Sequence, residues 1–196
     1  MQHWAAGLGI WLAAGAALAD CPPPLAQGEG IVLTREEPFF ESLFRATDTG
    51  LSEARILSRG GTAEAVSTTY LHPLAPQDRL ANGETLTIRY GADVSGLDTL
   101  RPGESWRSDV VVARDGMIIA SGAVTKTLAR TDTVTLDGCP LEVWMVEDRL
   151  DLGLGDDSWF LLVYAPSLGV VVGSMKMTGA GATLDGVIYD RIRAAP

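Results

Sequence analysis

Three dipeptides, Asn82-Gly83, Asp115-Gly116 and Asp137-Gly138, constrain the fold of this chain more than any other feature. Both central residues of a type I′ turn need positive φ, which Asn, Asp and Gly adopt at least cost, so each dipeptide reads as a two-residue hairpin. Gly60-Gly61 supplies a fourth. The runs between them have strand character. In Glu84–Tyr90 (ETLTIRY), Leu86, Ile88 and Tyr90 fall on one face and Thr85, Thr87 and Arg89 on the other, the period of a half-buried strand. Ser105–Arg114 and residues 117–128 flank Asp115-Gly116, with Trp106, Val110 and Val112 sharing a face. Residues 131–136 turn at Asp137-Gly138 into residues 139–147. There Trp144 and Val146 oppose Leu141, Val143 and Met145, so both faces of that strand are expected to be covered.

The remaining segments extend the pattern. Residues 159–174 (WFLLVYAPSLGVVVGS) read as two buried strands joined by the turn Ala165-Pro166-Ser167-Leu168-Gly169. Residues 31–33, 39–46, 51–58 and 62–70 are further strand candidates, although Phe40, Leu43 and Phe44 also suit helical spacing. Pro73 and Pro76 end or bend a strand at an edge, and Leu100-Arg101-Pro102-Gly103 is a turn. Residues 179–182 form a linker, and residues 184–192 a last strand or short helix. No long helical period interrupts the series. The expected fold is all-β: an antiparallel meander making a strongly curved sheet or partly open β-barrel, with little helix. Residues 20–38, opened by Pro22-Pro23-Pro24, are expected to be an extended N-terminal segment, and residues 39–196 one β domain.

Residues 1–19 are apolar and rich in small residues, and they close on Ala17-Leu18-Ala19. That is the A-x-A pattern of a secretory signal cut before Asp20, and it implies a periplasmic or secreted protein, not membrane-integral after cleavage. An uncleaved anchor is one alternative, since the positive n-region is reduced to His3. Lipidation at Cys21 is another, although Asp20 stands where a lipobox needs a small residue. The chain has two cysteines, Cys21 and Cys139. In an oxidising compartment they are expected to form a disulfide, against the plainer alternative of two free thiols.

With 25 acidic and 15 basic residues, the formal charge is −10. Phosphate backbones repel such a chain, so no nucleic-acid role is expected. His72 is the one histidine beyond residue 19, too few for a His-rich zinc site, and no G-x-S-x-G elbow accompanies it. It is expected at a turn or rim. Glu147, Asp148, Asp151, Asp156 and Asp157 cluster without the order of a calcium-binding loop, and a solvated hairpin tip explains them as well. No nucleotide-binding glycine motif is present. The expected sets of catalytic residues, metal ligands and cofactors are therefore empty. The strand aromatics Tyr90, Trp106, Trp144, Trp159, Phe160 and Tyr164 are the ligand-lining candidates, with core filling as the commoner alternative.

Three stretches carry a family resemblance: Leu97-Asp98-Thr99-Leu100-Arg101-Pro102-Gly103-Glu104-Ser105-Trp106, Gly138-Cys139-Pro140-Leu141-Glu142-Val143-Trp144 and Tyr164-Ala165-Pro166-Ser167-Leu168-Gly169-Val170-Val171. Across residues 97–174 the chain resembles the TapB-like group of bacterial periplasmic β proteins, with Val163 standing where that group usually has Trp. The resemblance implies a curved periplasmic sheet of unassigned function and no catalytic residues. The expected role is a non-enzymatic envelope protein binding a lipid or other apolar ligand, or an envelope protein partner. A carboxylate-dependent hydrolase is one rival. An assembly factor that accepts a strand at a sheet edge is the other.

Overall fold

The structure is a computed structural model and describes residues 21–27, 29–59, 62–153, 155 and 158–196. The signal-like segment with its cleavage site, Gly60-Gly61, Asp156 and Asp157 lie outside these residues. Thirteen strands form one antiparallel sheet: β1 (Ile31–Arg35), β2 (Phe40–Thr47), β3 (Gly50–Arg59), β4 (Thr62–His72), β5 (Ala75–Ala81), β6 (Glu84–Tyr90), β7 (Ser105–Arg114), β8 (Met117–Leu136), β9 (Cys139–Asp151), β10 (Ser158–Ala165), β11 (Val170–Met177), β12 (Thr183–Ile188) and β13 (Arg191–Ala194). The expected all-β meander is what the chain forms. Its three Xaa-Gly hairpins have positive φ at both residues: 53° and 80° at Asn82-Gly83, 48° and 81° at Asp115-Gly116, 49° and 79° at Asp137-Gly138. The turn from Ala165 to Gly169 joins β10 to β11, with the Leu168 and Gly169 amides donating to the Ala165 carbonyl at 3.1 and 2.9 Å.

Twelve strands follow one another across the sheet, and β13 then pairs with β1 at the far side. The two outermost strands, β12 and β13, are thus consecutive in the chain, separated by Tyr189 and Asp190 alone. A two-residue link reaches about 10 Å at most, so the sheet has to curl until its edges meet. No ladder joins β12 to β13, and the sheet stays open along that seam.

Two apolar clusters hold the curl. The first takes Ile31 and Leu33 of β1, Phe44 of β2 and Leu51 of β3 together with Val143, Met145, Val163, Ala165, Val170 and Val172. It therefore packs one end of the strand order against the other. The second gathers Leu74, Leu97, Trp106, Val110, Val124, Leu128, Val146 and Tyr164. Alternate residues of β9 to β11 go to different clusters: Val143 and Met145 to one and Val146 to the other. These strands are covered on both faces, as the alternation around Trp144 predicts.

Three local expectations are corrected. Pro76 lies within a strand, β5, where the pairing with β4 shifts register at Thr69, Tyr70 and His72. The irregular ladder does not need the missing amide. Residues 117–128 and 131–136 are one strand, β8, carrying a bulge between Leu128 and Arg130. Residues 184–192 hold the ends of two strands at opposite edges of the sheet. The loop before β7 also winds into a 3-10 helix, Val94–Thr99, whose cap Asp93 accepts from the Ser95 amide at 3.0 Å. Cys21 and Cys139 are disulfide-bonded, 118 residues apart with Cα atoms at 5.4 Å.

Candidate functional site

Where β2 to β5 face β9 to β12, the curled sheet lines a half-open cavity of about 510 Å³. Phe40, Phe44, Leu57, Leu74, Phe160, Leu162, Val171 and Val187 supply its apolar wall. Register explains one side. Asp148, Phe160, Lys176 and Asp185 are successive cross-strand partners on β9, β10, β11 and β12, so they share a face and all reach the cavity.

On the opposite side the alternation of β3 puts Leu51, Glu53, Arg55 and Leu57 on one face, two charged groups among apolar neighbours. Glu53 is fully enclosed, and Arg55 keeps 27% of its side chain exposed. Oε1 of Glu53 accepts from Ser42 Oγ at 2.6 Å and from Arg55 Nε at 2.8 Å. Oε2 accepts from the Tyr70 hydroxyl at 2.6 Å and from Arg55 NH2 at 2.8 Å. Because Ser42 donates to the carboxylate, the Tyr189 hydroxyl, 2.7 Å away, donates to Ser42. Burial first, and then the Glu53 carboxylate, push the Tyr70 hydroxyl well above the usual tyrosine range. Tyr189 is pushed up to about 12 by the same two causes. Burial opposes the charge on Arg55, yet Glu53 holds its pKa above the ordinary guanidinium value. The guanidinium lies 5.1 Å over the Phe40 ring. Tyr189 packs edge-on against that same ring at 5.9 Å, pinning the link between β12 and β13 inside the curl.

Of the six aromatics singled out from the sequence, Phe160 lines this cavity and the other five do not. Tyr90, Trp106, Trp144 and Tyr164 belong to or pack against the second cluster, which fills the space beside the cavity and shares Leu74, Leu162 and Val171 with its wall. Trp106 donates to the Asp93 carbonyl at 3.0 Å and Tyr90 to the Pro76 carbonyl at 2.9 Å. Trp144 meets Tyr164 edge-on at 5.8 Å. Trp159 lies half-buried under the Arg149 guanidinium, 4.0 Å from its ring centre. Alternation assigns a residue to a face but does not show where along that face the packing leaves a hollow.

His72 is buried at the end of β4 instead of lying at a rim, because Tyr164 packs 5.9 Å from its ring. Its Nδ1 accepts from the Leu74 amide at 3.1 Å, so Nε2 carries the proton and donates to Asp98 Oδ1 at 3.1 Å. Burial lowers its pKa below the usual 6.5, with Lys126 adding to the effect and Asp98 opposing it. The folded state therefore binds fewer protons than the unfolded chain. Stability is complete above about pH 6.5 and falls as the pH drops through the folded value. Protonating Nδ1 would also break the Leu74 bond. Thermal melts at pH 7.5 and pH 5 should show a smaller acid-induced loss for His72→Gln than for the wild type.

The acidic cluster disperses. Asp148 pairs with the buried Lys126 at 2.6 Å, Glu147 with Arg149 at 3.1 Å, and Asp151 accepts from the Gly153 amide at 2.8 Å. Among the described residues no three His, Cys, Asp or Glu side chains converge on a metal-sized site. Nor is any described helix long and apolar enough to cross a membrane.

The fold is similar to that of YmcC. The crystal structure of the hypothetical lipoprotein YmcC from Escherichia coli (K12) matches at TM-score 0.50 and 15% identity, covering 88% of this chain and 87% of that one. A Bacteroides fragilis protein with a YmcC-like fold matches at TM-score 0.44 and 10% identity, over 88% and 98%. No family model matches the chain, and no curated protein does. The likeness is one of fold, to YmcC and not specifically to the TapB-like group.

Proposed function

We propose that this chain is an exported, non-enzymatic envelope protein that binds an apolar small molecule in the cavity of its curled sheet. The observation that carries the reading is the 510 Å³ hollow itself, walled by Phe40, Phe44, Leu57, Phe160, Leu162 and Val187. Its size falls within the range of small-molecule sites, and its apolar lining with a few placed polar groups is their usual make-up. The A-x-A segment, the disulfide and the YmcC-like fold support an envelope location. The Cys21 sulfur that lipidation would use is bonded to Cys139.

The hydrolase reading has less to draw on. Asp148 and Asp185, the carboxylates that line the cavity among the described residues, stand three strand spacings apart, roughly 14 Å along the sheet. Paired carboxylates in glycoside hydrolysis keep about 5–9.5 Å. Glu53 has all its lone pairs engaged. The strand-addition reading has one observation in its favour: β12 is an outer strand with Leu184 and Ile188 exposed. Its Gly186 carbonyl, however, already accepts from Arg35 at 2.7 Å.

Binding of the neutral apolar dye N-phenyl-1-naphthylamine tests the cavity. The wild type should enhance its fluorescence saturably. Ser174→Phe, which adds a ring at a cavity-lining position, should weaken binding at least about tenfold while the circular dichroism spectrum is unchanged. Equal binding by the two proteins would remove the cavity from the account.

A further inference from the structure

We infer that the ligand is an anionic amphiphile, a single acyl chain ending in a carboxylate or phosphate. This rests on the cavity-binding reading above and specifies its ligand. The cavity is lined by four basic side chains, Arg35, Arg55, Arg79 and Lys176. Arg55 is neutralised by Glu53. Among the described residues the other three make no ion pair. Arg35 is held in place by backbone acceptors, donating from Nε to the Glu37 carbonyl at 3.0 Å and from NH1 to the Gly186 carbonyl at 2.7 Å. Those bonds orient its guanidinium without cancelling its charge.

Opposing carboxylates are scarce at the same place. Asp148 is consumed by Lys126 at 2.6 Å. Asp185 is the direct cross-strand neighbour of Lys176, yet its Oδ1 accepts from the Gly186 amide at 2.7 Å and no ion pair forms between the two side chains. Among the described residues three uncompensated cations thus face one carboxylate, in a chain where acidic residues outnumber basic ones 25 to 15. The local surplus runs against the balance of the whole molecule. It borders an apolar hollow, so charge and grease are offered side by side. Arg79 and Lys176 are exposed, which places them where a polar head remains in contact with water while a chain is enclosed. A low-dielectric wall beside these cations strengthens their attraction for an anion.

The test is displacement of N-phenyl-1-naphthylamine by dodecanoate, dodecyl phosphate and dodecanol, which share one chain length. The two anions, or one of them, should displace the dye at about tenfold lower concentration than the alcohol, the scale of one or two partly exposed charge contacts. Which anion leads identifies the headgroup. Arg79→Glu combined with Lys176→Glu should erase that preference, read as the ratio of anion to dodecanol concentrations that displace the dye from the same variant. Equal displacement by all three probes, or an unaltered preference in the double variant, would overturn the anionic assignment and leave cavity binding standing. A wild-type protein that never binds the dye would overturn the cavity reading itself.

Discussion

Glu53→Ala is expected to cost about 3–5 kcal/mol of folding stability, the scale for removing one partner of a buried ion pair. The side chain is fully enclosed, and its two oxygens collect bonds from Ser42, Tyr70 and both forks of Arg55. Alanine would leave the guanidinium without its counter-charge and two hydroxyls without their acceptor. Such groups cost more unpaired than the bonds contribute when made. The comparison that isolates the charge is Glu53→Met with Arg55→Met, which removes both ions and keeps the volume apolar. That double variant should recover most of the loss in urea denaturation, because paired charges taken from water together are close to neutral in stability. A double variant as unstable as Glu53→Ala would show that the hydroxyl bonds of Ser42 and Tyr70, not the ion pair, stabilise the site. Tyr189 enters through Ser42, so the same measurement reports on the seam between β12 and β13.

What could be read from the residues alone divides along one physical line. Turn geometry is local. The sign of φ at Asn82, Asp115 and Asp137 follows from the residue and its glycine, so those three hairpins were legible before any coordinates. The double coverage of β9 was legible too, because Trp144 and Val146 are as apolar as Val143 and Met145. Pairing between distant strands is not local. Nothing in Tyr189-Asp190 resembles a breaker, yet the chain crosses there from one edge of the sheet to the other, and only the partners Thr34 and Gly173 show it. Pro76 misleads for the same reason: a proline is excluded from a strand by the hydrogen bonds it would have made, and the β4–β5 ladder shifts register on both sides of it.

The candidate site follows the same division. Leu51, Glu53, Arg55 and Leu57 alternate on one face, and a charged pair inside an apolar period was a readable sign of a buried polar cluster. That Ser42, Tyr70 and Tyr189 complete it depends on contacts across 11, 17 and 147 residues of chain. The aromatics drew attention by size, but size does not distinguish a filled stretch of a face from a hollow one. Charge does so better here. Arg35, Arg79 and Lys176 face the cavity because a solvated cation tolerates a hollow and not a packed core.

Cys21→Ser combined with Cys139→Ser is expected to lower stability by about 2–5 kcal/mol. The bridge spans 118 residues, and closing so long a loop removes entropy worth about 5 kcal/mol from the unfolded chain in the entropic treatment. The native state should survive the loss. Leu25 is buried in the first cluster and its amide donates to the Leu168 carbonyl at 3.1 Å, so the N-terminal segment keeps a hold on the β10–β11 turn without the bridge. Because the effect acts through the unfolded state, the urea m-value should rise in the double variant as the denatured chain expands, while the native circular dichroism spectrum stays the same. An unchanged m-value with an altered native spectrum would locate the effect in the folded sheet instead. The disulfide would then be what seats Leu25 against Leu168, and protease cleavage after residue 25 should become rapid in the variant.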